Sequence, residues 1–151
     1  MRRRDVPNKM RPSWQEYALD IAKVASKRSE DPHRKVGACA SDKNNMILGV
    51  GYNGLASKKE ADPKFWEDRD GRRRFMIHAE ANCMSLFNKG QASLLAATLL
   101  PCSHCATLIA AYEIPQVVYS EEYDLDQTAK EIFDFYNIEL IKIDKMCNIS
   151  R

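Results

Sequence analysis

No stretch of this 151-residue chain is apolar over anything near the ~20 residues needed to cross a bilayer, so no membrane-spanning helix is expected. Charge of one sign is also lacking. Lys and Arg number 23 against 21 Asp and Glu, a net charge of +2, too even for the strongly basic face of a nucleic-acid binder. Internal repeats, Gly/Ser-rich linkers and low-complexity segments are absent, so one domain is expected. The five cysteines are an odd and sparse set for a small disulfide scaffold. The basic start Met1-Arg2-Arg3-Arg4-Asp5 is followed by no apolar stretch, so it does not read as a secretory signal. These absences predict a cytoplasmic protein with an arm over residues 1–11 and a single domain over 12–151.

What is present is patterned. At 44% hydrophobic the chain holds enough apolar material for one core. Pro12-Ser13 supplies a helix start with Ser13 as cap. Trp14, Tyr17, Ala18, Ile21, Ala22, Val24 and Ala25 then recur at helical spacing, which predicts a buried face on a helix of about four turns. Residues 36–40 and 46–50 are short apolar runs around the turn chemistry of Asp42-Lys43-Asn44-Asn45, a strand, a tight turn and a strand. The polar stretch from Gly51 to about Phe75 is long for a plain connection and is expected to carry function or a short element of its own. Beyond it the pattern predicts a helix from His78 to Phe87 stopped by Gly90, a strand over 97–100, a helix over 102–112, a strand over 116–119, a helix over 126–136 and a strand over 138–143. Strands alternating with helices argue for an α/β domain with a largely parallel second half.

The chemistry concentrates at two helix starts. His78-Ala79-Glu80 opens one predicted helix, and Pro101-Cys102-Ser103-His104-Cys105 opens the next, with a strand between them. Two helices that start at the same edge of a sheet bring their first turns together. Cys102 and Cys105 are three apart and share a face, and the positive helix ends favour thiolates. His78, Cys102 and Cys105 thus form a set of three metal ligands. Cys83 points away from His78 on its helix, and His104 is directed off the metal. Structural zinc fills four positions from protein, whereas three protein ligands leave one for water, as in a catalytic site. Glu80 is two residues from the histidine, near the metal without being an obvious ligand, and suits proton transfer. A Cys-x-x-Cys alone fits a redox pair or half a zinc knuckle, and a His-Ala-Glu alone means nothing. Together, His-x-Glu and Pro-Cys-x-x-Cys are the signature of zinc deaminases. Cys39 and Cys83 sit in apolar segments and are expected to be buried thiols.

On these residues the chain resembles the cytidine deaminase-like superfamily from about Trp14 to Ile143. Within it the chain is most similar to the deoxycytidylate (dCMP) deaminases, through Asp31-Pro32, Val36-Gly37-Ala38, Gly51-Tyr52-Asn53-Gly54, Tyr119 and Tyr123. The resemblance implies a three-layer α/β/α sandwich with a five-stranded mixed sheet. It implies zinc-dependent hydrolysis of dCMP to dUMP and ammonia, supplying dUMP for thymidylate synthesis. Water activated at the metal attacks carbon 4 of cytosine, while Glu80 protonates ring nitrogen 3 and then the departing amine. Substrate contacts are implied for Asn53 and Ala79, and contacts to the 5′-phosphate for Arg34, Lys35 and Tyr123. Asn53 has a second reading as a plain turn residue, since Asn-Gly is a strong turn pair. The resemblance further implies a homo-hexamer regulated by dCTP and dTTP, with Mg2+ accompanying the triphosphate, at a site involving Gly51, Tyr52, Asn53 and Gly54. Arg72, Arg73 and Arg74 read either as part of that site or as a solvated charge run.

Two departures from the resemblance stand out. Residues 56–77 contain no Cys or His, so one Zn2+ per chain is expected, and Leu55-Ala56 stands where a proline often follows. Three rivals remain. A tRNA or single-stranded nucleic-acid deaminase needs a basic groove with stacking aromatics. A free-nucleoside deaminase resembles a pattern with Cys in place of His78. A non-catalytic zinc module that binds a partner has no use for Glu80.

Overall fold

The computed structural model describes residues 11–57, 59–122 and 127–143. The chain order is α1 (Trp14–Ser26), β1 (Gly37–Ser41), β2 (Ile47–Tyr52), α2 (Pro63–Glu67), α3 (Arg69–Phe75), α4 (Ala79–Met84), β3 (Leu94–Leu99), α5 (Ser103–Ala111), β4 (Gln116–Glu121), α6 (Thr128–Phe135) and β5 (Glu139–Lys142). The strands form one mixed sheet in the order β2-β1-β3-β4-β5. β1 runs antiparallel to β2 and β3, and β3, β4 and β5 are parallel, as the alternation in the second half predicts. Among the described residues no helix is long and apolar enough to cross a membrane.

Helices cover both faces, giving the three-layer α/β/α sandwich. On one face α1 packs Ala18, Leu19 and Ala22 against Cys39, Leu94, Ala96 and Val118. On the other, the side chains of α4, α5 and α6 bury Ala38, Ala40, Leu95, Val117 and Tyr119. β1 lies between the two layers and is buried at every residue, which is why its sequence is Gly-Ala-Cys-Ala-Ser. A side chain at Gly37 would collide with the Ala22 carbonyl of α1, so only glycine allows that approach. Cys39 and Cys83 are buried thiols, as expected.

Ser13 caps α1 as expected, in a full capping box. Its Oγ accepts the Glu16 N–H at 3.1 Å, and the Glu16 carboxylate accepts the Ser13 N–H at 2.8 Å. The buried face of α1 differs from the expectation. Trp14 (55% exposed), Tyr17 (41%) and Val24 (65%) turn outward, and Leu19 takes the core position. One helix covers the middle of a five-stranded sheet, so a narrow stripe of small residues suffices and the large ones lie outside it. β3 starts three residues earlier than predicted, at Leu94, because a strand paired on both sides extends its apolar run from end to end. The predicted helix over 78–87 ends at Met84, with Leu86 N–H bonding back to the Cys83 carbonyl in a tighter turn; Gly90 then takes a positive φ of 86°.

Candidate metal centre and active site

Four segments meet at one edge of the sheet. They are the loop before β1, the end of β2, the start of α4, and the turn from β3 into α5. His78 is the N-cap residue of α4 and Cys102 that of α5, and neither side chain caps its helix. Cys105 lies in the first turn of α5. These three residues bring one ligand atom each to within 4.8 Å of the others. His78 Nδ1 is 3.3 Å from Cys105 Sγ and 3.5 Å from Cys102 Sγ. Zinc bonds of about 2.3 Å to sulfur and 2.0–2.1 Å to nitrogen give a tetrahedral N–S edge of roughly 3.6 Å, so the donor set fits zinc with little movement. Cys83 donates instead to the Gly49 carbonyl at 3.3 Å, and His104 is exposed on α5 and outside the metal-binding group. Among the described residues no other group of His, Cys, Asp and Glu is arranged to hold a metal.

The cluster favours negative sulfur. A hydrogen bond from Cys105, helped by another from His78, holds the Cys102 thiol down to about 4. The same proton sharing pushes Cys105 upward, and the bond to Cys102 raises His78. Glu80 is 4% exposed. Burial pushes its carboxyl up to about 7, against the opposing pull of its own backbone N–H, His78 and the Cys105 thiol. A carboxyl that titrates near neutrality is suited to take a proton and give it back.

Above the centre lies a cavity of about 360 Å³. Val36, Ala79, Leu99, Leu100 and Pro101 form apolar walls, and Asp31, Arg34, Asn53, Arg73, His78, Glu80 and Cys102 supply the polar lining. Of the sequence-predicted residues, His78, Ala79, Glu80, Cys102, Asn53 and Arg34 therefore meet in one place. Lys35 does not. Its amine donates to the Ser29 carbonyl at 2.7 Å, and it lines a separate groove beside α1. Tyr123 lies outside the described residues. Asn53 uses its carboxamide to pin the loop before β1, accepting the Val36 N–H and donating to the Arg34 carbonyl, both at 2.9 Å.

The rest of the Gly51 to Gly54 segment is similarly committed. A Cβ on Gly51 would lie 2.5 Å from the Cys83 nitrogen and 2.7 Å from the Ala79 oxygen, so glycine lets α4 rest directly on β2. The Tyr52 carbonyl accepts the Asn82 amide at 2.8 Å. Gly54 pairs with Ile77, the residue before His78, through bonds of 3.0 and 2.8 Å. The three arginines of α3 part company: Arg72 donates to the Trp66 carbonyl at 2.6 Å and faces Asp31 at 4.0 Å, Arg73 lines the cavity, and Arg74 stacks on Phe75. The sequence reading missed Asp31 as a functional side chain. Its Oδ1 accepts the backbone N–H groups of His33 and Arg34 at 2.8 and 3.2 Å, an Asx turn that the Asp-Pro pair could have signalled.

A five-stranded mixed sheet with an imidazole and two thiols at two helix starts, beside a buried carboxylate, defines the class of zinc-binding hydrolytic deaminases. The chain belongs to the family described as the cytidine and deoxycytidylate deaminase zinc-binding region, which matches residues 12–121. It is 31% identical over 148 residues to the deoxycytidylate deaminase of Homo sapiens, covering 89% of this chain and 82% of that one. It is 36% identical over 128 residues to the deoxycytidylate deaminase of Mycobacterium phage D29, covering 74% of this chain and 98% of the phage protein. The crystal structure of dCMP deaminase from the cyanophage S-TIM5, in complex with dCMP and dUMP, superposes with a TM-score of 0.74 at 28% identity, over 89% of this chain and 99% of that one.

Proposed function

We infer that this chain hydrolyses dCMP to dUMP and ammonia, with zinc held by His78, Cys102 and Cys105. The observation that carries the reading is the buried Glu80 carboxyl, close to those three side chains and lining a cavity of about 360 Å³. When bound, zinc supplies a Lewis acid that makes water a nucleophile at neutral pH.

The chain's own residues do the rest. Glu80 takes a proton from the attacking water and delivers it to ring nitrogen 3 of cytosine. It then moves the second water proton to the departing amine, so that water is consumed, ammonia leaves and a carbonyl remains at carbon 4. In the metal-free protein burial raises its carboxyl toward neutrality, the range that suits both transfers. Ala79, Leu99, Leu100 and Pro101 hold the base and keep bulk water from it. Asn53, at the cavity wall, has one amide hydrogen beyond its bond to Arg34 with which to meet the sugar. Arg34 supplies positive charge at the same wall.

Among the described residues no Phe, Tyr or Trp lines the cavity, which disfavours the stacking platform that a single-stranded nucleic-acid deaminase uses. The reading extends to a homo-hexamer activated by dCTP and inhibited by dTTP with Mg2+, working in the cytoplasm where dUMP feeds thymidylate synthesis. Because Gly51, Tyr52, Asn53 and Gly54 all brace α4 or the loop before β1, an effector at that segment would act on His78 directly. The test is an assay of zinc-loaded protein on dCMP, CMP, deoxycytidine and cytosine-containing oligonucleotides. Turnover of dCMP with the highest kcat/KM is expected; activity confined to oligonucleotides would overturn the reading.

A further inference from the structure

Next to the cavity over the metal centre lies a second one of about 310 Å³, and both are lined by Asp31, Arg34, Asn53, Arg73 and His78. The second is further lined by His33, Arg69 and Arg72 and lacks the apolar wall of Val36, Ala79, Leu99, Leu100 and Pro101, so it is the more basic of the two. The carboxylate that lines it, Asp31, is already engaged. It accepts two backbone N–H groups and faces Arg72 at 4.0 Å, and Arg72 is fixed in turn on the Trp66 carbonyl. The side chains of Arg69 and Arg73 make no hydrogen bond or ion pair among the described residues. They are four apart on α3 and therefore share a face. Arg73 lines both cavities.

Resting on the reading of the substrate as a nucleotide, we propose that Arg73 is a specificity-determining residue that grips the 5′-phosphate in this basic annex, with Arg69 beside it. A nucleotide is apolar and flat at its base and anionic beyond its sugar, and the two neighbouring cavities have the same polarity in the same order. A phosphate monoester carries about −1.5 to −2 charges at neutral pH and three strong acceptor oxygens. Uncommitted guanidinium groups converging on one space match that demand better than the single charge of a phosphodiester. Arg72 anchors α3 to the loop before β1, which keeps Arg73 in the lining of both cavities. The arginine run thus divides its work among an anchor, a reader and a surface residue.

The test is Arg73→Gln, an exposed position where the fold is expected to survive, checked by zinc content and thermal melting. Kinetics are measured with dCMP and with deoxycytidine, and inorganic phosphate is titrated as a competitive inhibitor. The KM for dCMP is expected to rise about tenfold or more, the size of a lost charge-assisted hydrogen bond, with kcat changing less. The preference for dCMP over deoxycytidine falls by a similar factor, and phosphate inhibition weakens. An equal loss on both substrates, or a KM for dCMP within twofold of the parent, overturns the role of Arg73. Wild-type protein inactive on dCMP overturns the substrate reading and this one with it, whereas active wild-type protein with an unchanged variant overturns only the assignment of Arg73.

Discussion

The starts of α1 and α4 are opposites. α1 begins on Ser13, whose hydroxyl and Glu16 partner satisfy two backbone N–H groups in a reciprocal box. Asp62 and Asp68 cap α2 and α3 by accepting from Phe65 and Asp70. α4 and α5 instead begin on His78 and Cys102, and neither side chain bonds to its own helix. The first kind of start stabilises the fold locally, by about 1 kcal/mol for a serine cap. The second leaves the helix end uncapped and turns its cap side chain toward a metal centre. Stability and function thus compete for one structural position, and the sequence assigns the starts of α1 to α5 to one or the other. Two positive helix ends aimed at one point also favour the thiolates that a metal needs.

The contrast is broken most severely at the metal side. Cys102→Ala is expected to abolish stoichiometric zinc and reduce turnover to background. Its melting temperature should no longer respond to zinc, whereas the parent gains about 4 kcal/mol at a thousandfold excess over Kd. Full zinc content by elemental analysis would remove Cys102 from the ligand set. Glu80→Gln is next. It should keep its zinc and lose about 10²–10⁴-fold in kcat. The same variant makes a pH prediction for protein stripped of metal by chelation. Glu80 titrates at about 7 when buried, against an ordinary 4.5, so folding disfavours its charged form. That cost is absent below the ordinary value, grows between the two, and is fully present above about 7. Metal-free Glu80→Gln should therefore be the more stable protein at pH 8, by roughly 3 kcal/mol, and lose that advantage near pH 4. Denaturant melts at both pH values decide it.

A residue away from the metal sharpens the comparison by asking what does hold α4 in place. α4 has no side-chain cap, but it lies against Gly49 and Gly51 of β2 at backbone contact. Gly51→Ala would drive a methyl group to 2.5 Å from the Cys83 nitrogen, and backbone cannot move aside as a flexible side chain can. The expected cost is about 1–3 kcal/mol of stability. Displacing His78 and Glu80 together should also lower kcat by roughly tenfold to a hundredfold, since catalytic geometry tolerates little shift. A loss of stability without loss of kcat would mean that α4 is positioned by something other than this contact.

Much of the site was legible because its chemistry is local. His78-Ala79-Glu80 and Pro101-Cys102-Ser103-His104-Cys105 each occupy one turn, so spacing alone orients their side chains, and the alternation of strands and helices brings the two turns to one edge of the sheet. Cys83 and His104 were assigned away from the ligands by the same local geometry. What was not legible depends on contacts between distant segments. Nothing around Lys35 reveals that Ser29 takes its amine. Nothing within Arg72-Arg73-Arg74 reveals that the first faces Asp31 and the second lines the cavity, since that follows from where α3 lies on the loop before β1. The outward turn of Trp14, Tyr17 and Val24 escaped periodicity for a related reason. Helical spacing identifies an apolar surface, but only the sheet beneath decides which strip of it is covered.

The smallest effect belongs to the other side of the contrast, where the helix start carries no function. Ser13→Ala removes the hydroxyl that accepts from Glu16 and leaves that N–H to water. The box is exposed, so the loss should be about 1 kcal/mol and no more. The buried face of α1 packs on Cys39, Ala96 and Val118 rather than on His78, Glu80 or Cys102. Zinc content and kcat/KM for dCMP should therefore stay at parental values while the denaturation midpoint falls. If activity fell along with stability, α1 would be coupled to the metal centre through β1 and β3, and the separation of stabilising from functional helix starts would not hold.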